Sequence, residues 1–252
     1  AQELMLPGGK EGMEDTANEI LCRVSNFLEE LLGKLYGVEP YYNLKSKKDL
    51  VGHLVIGLAP HISSGSVGRI IGFSQTQGMF AHPMYHAALR RDCDGDEASV
   101  SLLLDGFLNF SSRYLPDRRG AKTMDAPLVL TSLLNPAEID DQAHGLDVVW
   151  QYPLELYEAA EQYKNPWDVK IEQITHRLGK PTQYEKMGYT HPTSNINHSV
   201  LFSAYKSLPS MEEKLNGQMQ IAKNIRAVNT SNVAEMIITK HFLKDTKGNL
   251  RK

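Results

Sequence analysis

Residues 50–81 read LVGHLVIGLAPHISSGSVGRIIGFSQTQGMFA. Short apolar runs, Leu54-Val55-Ile56, Val67, Ile70-Ile71 and Met79-Phe80, are separated here by Gly52, Gly57, Gly65, Gly68, Gly72 and Gly78. Runs this short, each stopped by a residue with no side chain, predict strands joined by tight connections, in a small β-barrel or sheet. Upstream, Ile20, Leu21, Val24, Phe27, Leu28, Leu31, Leu32 and Leu35 recur at three- and four-residue spacing, while Glu19, Arg23, Glu29 and Glu30 fill the other positions. This pattern predicts an amphipathic helix from Asp15 to Lys34 with its leucine stripe in the core. Gly33 and Gly37 loosen its end, and Pro40 opposes continuation.

Downstream, Leu102, Leu103, Leu104, Phe107, Leu108 and Phe110 predict a buried helix reaching about Tyr114, and Pro127-Leu128-Val129-Leu130-Thr131 returns to a strand-like pattern. Further helices are expected at roughly 153–163, 167–177, 211–227 and 232–242, with a polar connection from Gly188 to His198. The chain thus divides into an N-terminal helical segment (1–40), a β-rich region (41–150) and a mostly helical extension (151–252), an α+β fold without internal repeats.

Composition narrows the function classes. The 252 residues, 41% hydrophobic, suffice for a buried core. No apolar run is long enough for a transmembrane helix and Ala1-Gln2-Glu3-Leu4 has no secretory pattern, so the default expectation is a cytoplasmic protein with no membrane partner. Two cysteines, Cys22 and Cys93, exclude a disulfide framework and an all-cysteine zinc site within this stretch. The net charge of −3 hides segregation: Arg90, Arg91, Arg113, Arg118, Arg119 and Lys122 surround the centre, and Lys240, Lys244, Lys247, Arg251 and Lys252 fill the tail.

The densest chemical signal is Arg90-Arg91-Asp92-Cys93-Asp94-Gly95-Asp96-Glu97. Crowded carboxylates raise one another's proton affinity unless they are solvated or share a cation. In an extended segment Asp92, Asp94 and Asp96 project to one side, and Gly95 permits a tight bend. Hard oxygen donors suit magnesium or manganese, and the neighbouring arginines suit substrate phosphate. A calcium loop does not fit, because the twelfth position is Leu103 rather than glutamate. On spacing alone, metal-dependent phosphoryl chemistry and a solvated acidic turn stand side by side.

The run from His82 to Glu97, HPMYHAALRRDCDGDE, with Gly68-Arg69-Ile70-Ile71-Gly72-Phe73-Ser74 before it and Met124-Asp125-Ala126-Pro127-Leu128-Val129-Leu130-Thr131 after it, resembles the large catalytic subunit of archaeal family D DNA polymerases. The resemblance extends to Gln2-Glu3-Leu4-Met5-Leu6-Pro7-Gly8-Gly9 and Lys247-Gly248-Asn249-Leu250-Arg251. It implies a centre of double-psi β-barrels like that of multisubunit RNA polymerases, with region 41–150 as a catalytic barrel and 151–252 as a candidate DNA clamp. It implies Asp94 and Asp96 as the catalytic, metal-holding pair, Mg2+ (or Mn2+) as cofactor, and Asp92, where the family pattern has Asn, as either a third carboxylate or an auxiliary. It further implies primer–template DNA and dNTP as substrates, and a separate small subunit carrying a proofreading exonuclease. The remainder of the large subunit is expected to supply another barrel and a zinc-binding segment, so that this part is inactive alone.

Arg90, Arg91, Arg69, Lys122 and His82 are the candidate nucleic-acid or phosphate ligands. His82 and His86 share a helical face, but Pro83 and the missing glutamate oppose a zinc protease reading, leaving core packing or a phosphate contact. Lys122 and Asp125 flank a turn after Arg118-Arg119-Gly120. Gly65-Ser66-Val67-Gly68 resembles the GxxG clamp of KH modules, with Arg69 following it. Two alternatives stay open: a non-catalytic nucleic-acid clamp with a structural acidic loop, and an RNA-polymerase-like enzyme selecting ribonucleotides.

Overall fold

The structure is a computed structural model, and it describes residues 2–9, 16–60, 62–91, 95–113, 128–129, 135–138, 144–187, 194–198, 201–202 and 207–250. Asp92, Cys93, Asp94, Lys122 and Asp125 lie outside the described residues. The chain forms two compact units, one of Ala1–Trp150 with Glu172–Phe202 and one of Gln151–Ile171 with Ser203–Lys252.

The first unit is α+β, built on a five-stranded sheet of β1 (Gln2–Pro7), β2 (Leu54–Leu58), β3 (Ser66–Ser74), β4 (Phe80–Ala81) and β5 (Ser99–Leu102) in the order β4-β1-β3-β2-β5. β1 runs parallel to β3, with Leu4 opposite Ile70; the other neighbours are antiparallel. The glycine-punctuated stretch thus supplies three of the five strands. Gly65-Ser66-Val67-Gly68 is not a clamp loop: from Ser66 it belongs to β3, where Gly68 pairs with both Val55 and Gln2. A Cβ at Gly68 would stand 2.2 Å from Leu4 Cδ1, so the missing side chain is what admits Leu4 to the core.

Leu4, Leu6, Val55, Ile70 and Leu102 from the strands meet Leu21, Leu50, Tyr85 and Leu89 in one core. Burying such side chains contributes roughly 1.5–3 kcal/mol each. The helix α1 (Ala17–Leu31) starts at Thr16 with a capping box to Glu19 and continues through a π turn to Gly37, which takes the left-handed conformation at φ 63°. Its expected core stripe divides in two. Leu21 and Ser25 are buried and Cys22 and Leu28 pack beside them, whereas Ile20, Val24, Phe27 and Leu35 are exposed, Phe27 by 66%. Eight apolar residues cover more of a helix than the single sheet face beneath it can bury.

The helix expected from Leu102 begins later. Ser99-Val100-Ser101-Leu102 alternates and forms β5, with Val55 opposite Leu102, and α3 (Asp105–Arg113) follows with no buried residue. Leu128, in the predicted later strand, makes an isolated parallel bridge to Ser64. Residues 167–177 are not one helix either. Two 3-10 turns, Pro166–Asp168 and Ile174–Arg177, flank an extended piece in which Gln173 bridges Asp147. Val148, Ile174 and Met84 form a second small core there.

That small core is locked by Arg177, which donates to Glu172 Oε1 and Oε2 at 2.7 and 2.9 Å and to the Glu185 carbonyl at 2.6 Å. In the second unit, the helices Leu154–Glu161 and Met211–Asn224 fall where the periodicity places them. Thr230–Met236 runs through a π segment into Leu243–Leu250. Among the described residues no helix is long and apolar enough to cross a membrane.

Candidate active site

The acidic motif is delivered by α2 (Pro83–Leu89) and received by β5. Pro83 fits the first helical position, where its missing N–H costs nothing, and the His82 ring caps the helix by accepting from Met84 N at 3.1 Å. The other ring nitrogen, Nε2, lies 2.9 Å from the Tyr184 carbonyl and must donate to it. Both nitrogens of His82 are therefore engaged within the protein, which makes it a cap in this arrangement rather than a phosphate ligand.

Four side chains of α2 are buried, Met84, Tyr85, Ala87 and Leu89: Met84 enters the small core, and Tyr85 and Leu89 join the core over the sheet. Tyr85 donates its hydroxyl to the Ser66 carbonyl at 3.1 Å, and burial pushes its pKa up to about 12. Gly57 leaves room for that hydroxyl, since a Cβ there would lie 2.3 Å from it. The helix is thus fixed on two sides before it reaches the motif.

His86 is held below the ordinary imidazole pKa, first by burial and then by the nearby His82. The folded state accordingly favours neutral His86, while the unfolded chain takes up a proton as pH falls through the ordinary range near 6.5. Stability from this group is complete above that pH and is lost as pH drops toward the depressed folded value. Chemical denaturation from pH 7.5 to 5 should show this loss, and an H86Q variant should show a shallower one.

At the end of α2, Arg90 takes the left-handed conformation at φ 56°, a position where glycine is the usual occupant. Arg90 N donates to Ala87 O at 2.9 Å and Arg91 N to His86 O at 3.1 Å, closing the helix. The two arginines then part: Arg90 is exposed, whereas Arg91 turns inward. Arg91 Nη2 donates to the Pro60 carbonyl beyond β2, and Nη1 stands 3.9 Å from Asp96 Oδ2. Gly95 has φ 122°, outside the range of ordinary side-chain-bearing residues, so the bend before Asp96 requires glycine. β5 begins three residues after Asp96 and is pinned by Leu102 in the core and by the bond from Leu103 N to Leu54 O at 3.0 Å.

Asp96, 39% exposed, and the exposed Glu97 are the acids of the motif among the described residues. No cluster of three or more His, Cys, Asp or Glu side chains occurs among the described residues. The donor chemistry at Asp96 nevertheless fits a hard divalent cation: a partly exposed carboxylate with a glycine bend before it. Arg69, exposed on β3, donates to the Gly52 carbonyl at 2.6 Å. The Pro60 carbonyl has no sequence signature, and only the juxtaposition of β2 and β5, with Leu58 opposite Ser99, brings it to the motif.

Residues 13–214 match the family described as the catalytic domain of DP2, the DNA polymerase II large subunit. Over 238 residues the chain is 52% identical to the DNA polymerase II large subunit of Thermoplasma acidophilum, covering 94% of this chain and 22% of that protein. Its identity to the protein of the same name from Archaeoglobus fulgidus is 50% over 252 residues, covering 99% and 21%, respectively. For that of Methanocella arvoryzae it is 52% over 237 residues, covering 93% and 21%. The chain therefore spans about a fifth of the length of the curated relatives it matches.

Proposed function

This chain belongs to the family of the DP2 catalytic domain of DNA polymerase II large subunits, and from that membership we propose that it carries the metal-holding acids of template-directed DNA synthesis. The reaction is transfer of a deoxynucleotide from its triphosphate to a primer 3′-hydroxyl. The observation that carries the reading is the placement of Asp96 behind a glycine-dependent bend, in a loop fixed at both ends, within the stretch that matches the catalytic domain. Asp94 and Asp96 are the residues that would hold Mg2+ or Mn2+, with Asp92 beside them as a third carboxylate. The bound cation would supply charge to offset that developing on the triphosphate and on the attacking oxygen.

The chain's own residues prepare that site. α2 and β5, fixed by Leu89 and Leu102 in the core, hold the segments on either side of the acidic motif. Arg90, exposed at the helix end, presents a guanidinium for substrate phosphate, and keeping a non-glycine residue in its left-handed conformation costs about 1 kcal/mol. Arg69 and Lys122 are assigned to DNA backbone phosphates. An R69A variant should lower the salt dependence of DNA binding by about one counterion, read as the slope of log affinity against log salt. An unchanged slope removes Arg69 from the interface.

The double-psi barrel is proposed as the complete architecture, of which the five-stranded sheet would be part. The small exonuclease subunit, the remainder of the large subunit and a cytoplasmic site of action belong to the same proposal. Titration with Mg2+ tests it against a non-catalytic clamp. Metal binding lost in the D94N and D96N variants supports the polymerase reading, and metal-independent DNA binding unaffected by either substitution supports the clamp.

A further inference from the structure

Arg91 and Arg90 are adjacent in sequence, yet the fold uses them differently. The Arg91 side chain is 24% exposed, and its guanidinium reaches two segments that the chain brings together only through the sheet. Nη2 donates to the carbonyl of Pro60, just past β2, while Nη1 stands 3.9 Å from the Asp96 carboxylate, just before β5, and 3.1 Å from the Arg90 carbonyl. β2 and β5 are antiparallel neighbours with Leu58 opposite Ser99, so Pro60 and Asp96 belong to the same end of the sheet. A planar guanidinium has donors enough to meet a carbonyl and a carboxylate at once, which the compact ammonium of lysine does less well.

We propose that Arg91 is a positioning residue: it fixes the base of the acidic loop to Pro60 and serves as the counter-ion of Asp96, a role that the divalent cation takes over on binding. The inference rests on the reading of Asp96 as a metal ligand. Four acids lie within the six residues that follow Arg91, and a positive charge fixed 3.9 Å from the Asp96 carboxylate lowers the cost of its ionisation in such company. A divalent cation on Asp96 carries twice that charge and repels the guanidinium, so the pair and the metal oppose one another. The bond to Pro60 does not depend on the metal and keeps the loop's base in place in both states. To act as a phosphate ligand instead, Arg91 would have to abandon that carbonyl.

The test uses the complete large subunit in its native assembly, with Mn2+ binding followed by electron paramagnetic resonance and primer extension by steady-state kinetics. R91M is expected to tighten Mn2+ binding roughly three- to tenfold, because one positive charge near the ion is gone. It is also expected to lower kcat about tenfold or more at an unchanged KM for the nucleotide, because the loop's base is no longer fixed. R91K keeps the charge and should keep the parental Mn2+ affinity while losing kcat. A raised nucleotide KM with unchanged kcat, Mn2+ affinity unchanged in R91M, or full kcat in R91K would each overturn the proposal. The underlying reading fails separately, through a D96N variant that binds Mn2+ as the parent does.

Discussion

A D96N variant of the complete large subunit is expected to incorporate nucleotides at least about 10²–10³-fold more slowly than the parent, with its far-ultraviolet circular dichroism unchanged. Asparagine keeps the volume of the side chain and removes the charge. Asp96 is partly exposed in a loop, outside the core of Leu4, Leu6, Val55, Ile70, Leu89 and Leu102, so the substitution leaves packing intact. The large effect is expected because a divalent cation held by fewer carboxylates is bound more weakly and misplaced, and phosphoryl transfer depends on position and charge. Primer extension under single-turnover conditions reads the chemical step. Rates within threefold of the parent would remove Asp96 from the catalytic set, whereas a loss confined to nucleotide KM would make it a binding residue only.

The second large effect concerns the fold. G68A places a methyl group 2.2 Å from Leu4 Cδ1 and 2.7 Å from Leu4 Cγ, in a strand whose other contacts fix it on both sides. Leu4 is fully buried and its neighbours leave it little room to move. Overpacking of this kind costs about 2–3 kcal/mol, or a fall in Tm of about 5–10 °C. The position can be checked against its partner. L4A alone leaves a cavity and is destabilising, but combined with G68A it gives the new methyl space, so the double variant should be less damaged than the sum of the two. Additive losses would mean that the sheet accommodates the methyl elsewhere.

Which features were legible in the sequence follows from how local their causes are. The strands around Val55 and Ile70 were marked by glycines within a few residues, and the helices Ala17–Leu31, Leu154–Glu161 and Met211–Asn224 by their own periodicity. Leu102 reads as helical from its neighbours because a short apolar run suits either structure, and its pairing with Val55 decides the matter from a distance. Residues 167–177 depart from their helical pattern for a similar reason: the backbone bonds of Glu172 and Ile174 go to Val148 and Leu146, which no local pattern announces. At the candidate site, the acids and the glycine bend could be read from the motif itself. The inward turn of Arg91 could not, because its acceptor is a main-chain carbonyl thirty-one residues earlier.

The parallel pairing of β1 with β3 also sets an order of events. β2 and β3 are antiparallel and separated by a short connection, so they can meet early, whereas Gln2 finds its partner only at Gly68. Closing that long interval is slow because chain entropy is lost before any contact repays it. During synthesis β1 is made well before β3, and its two apolar anchors, Leu4 and Leu6, must stay out of wrong pairings until Ser66–Ser74 has emerged. Insertion of β1 between β3 and β4 is therefore the step at which the sheet becomes continuous.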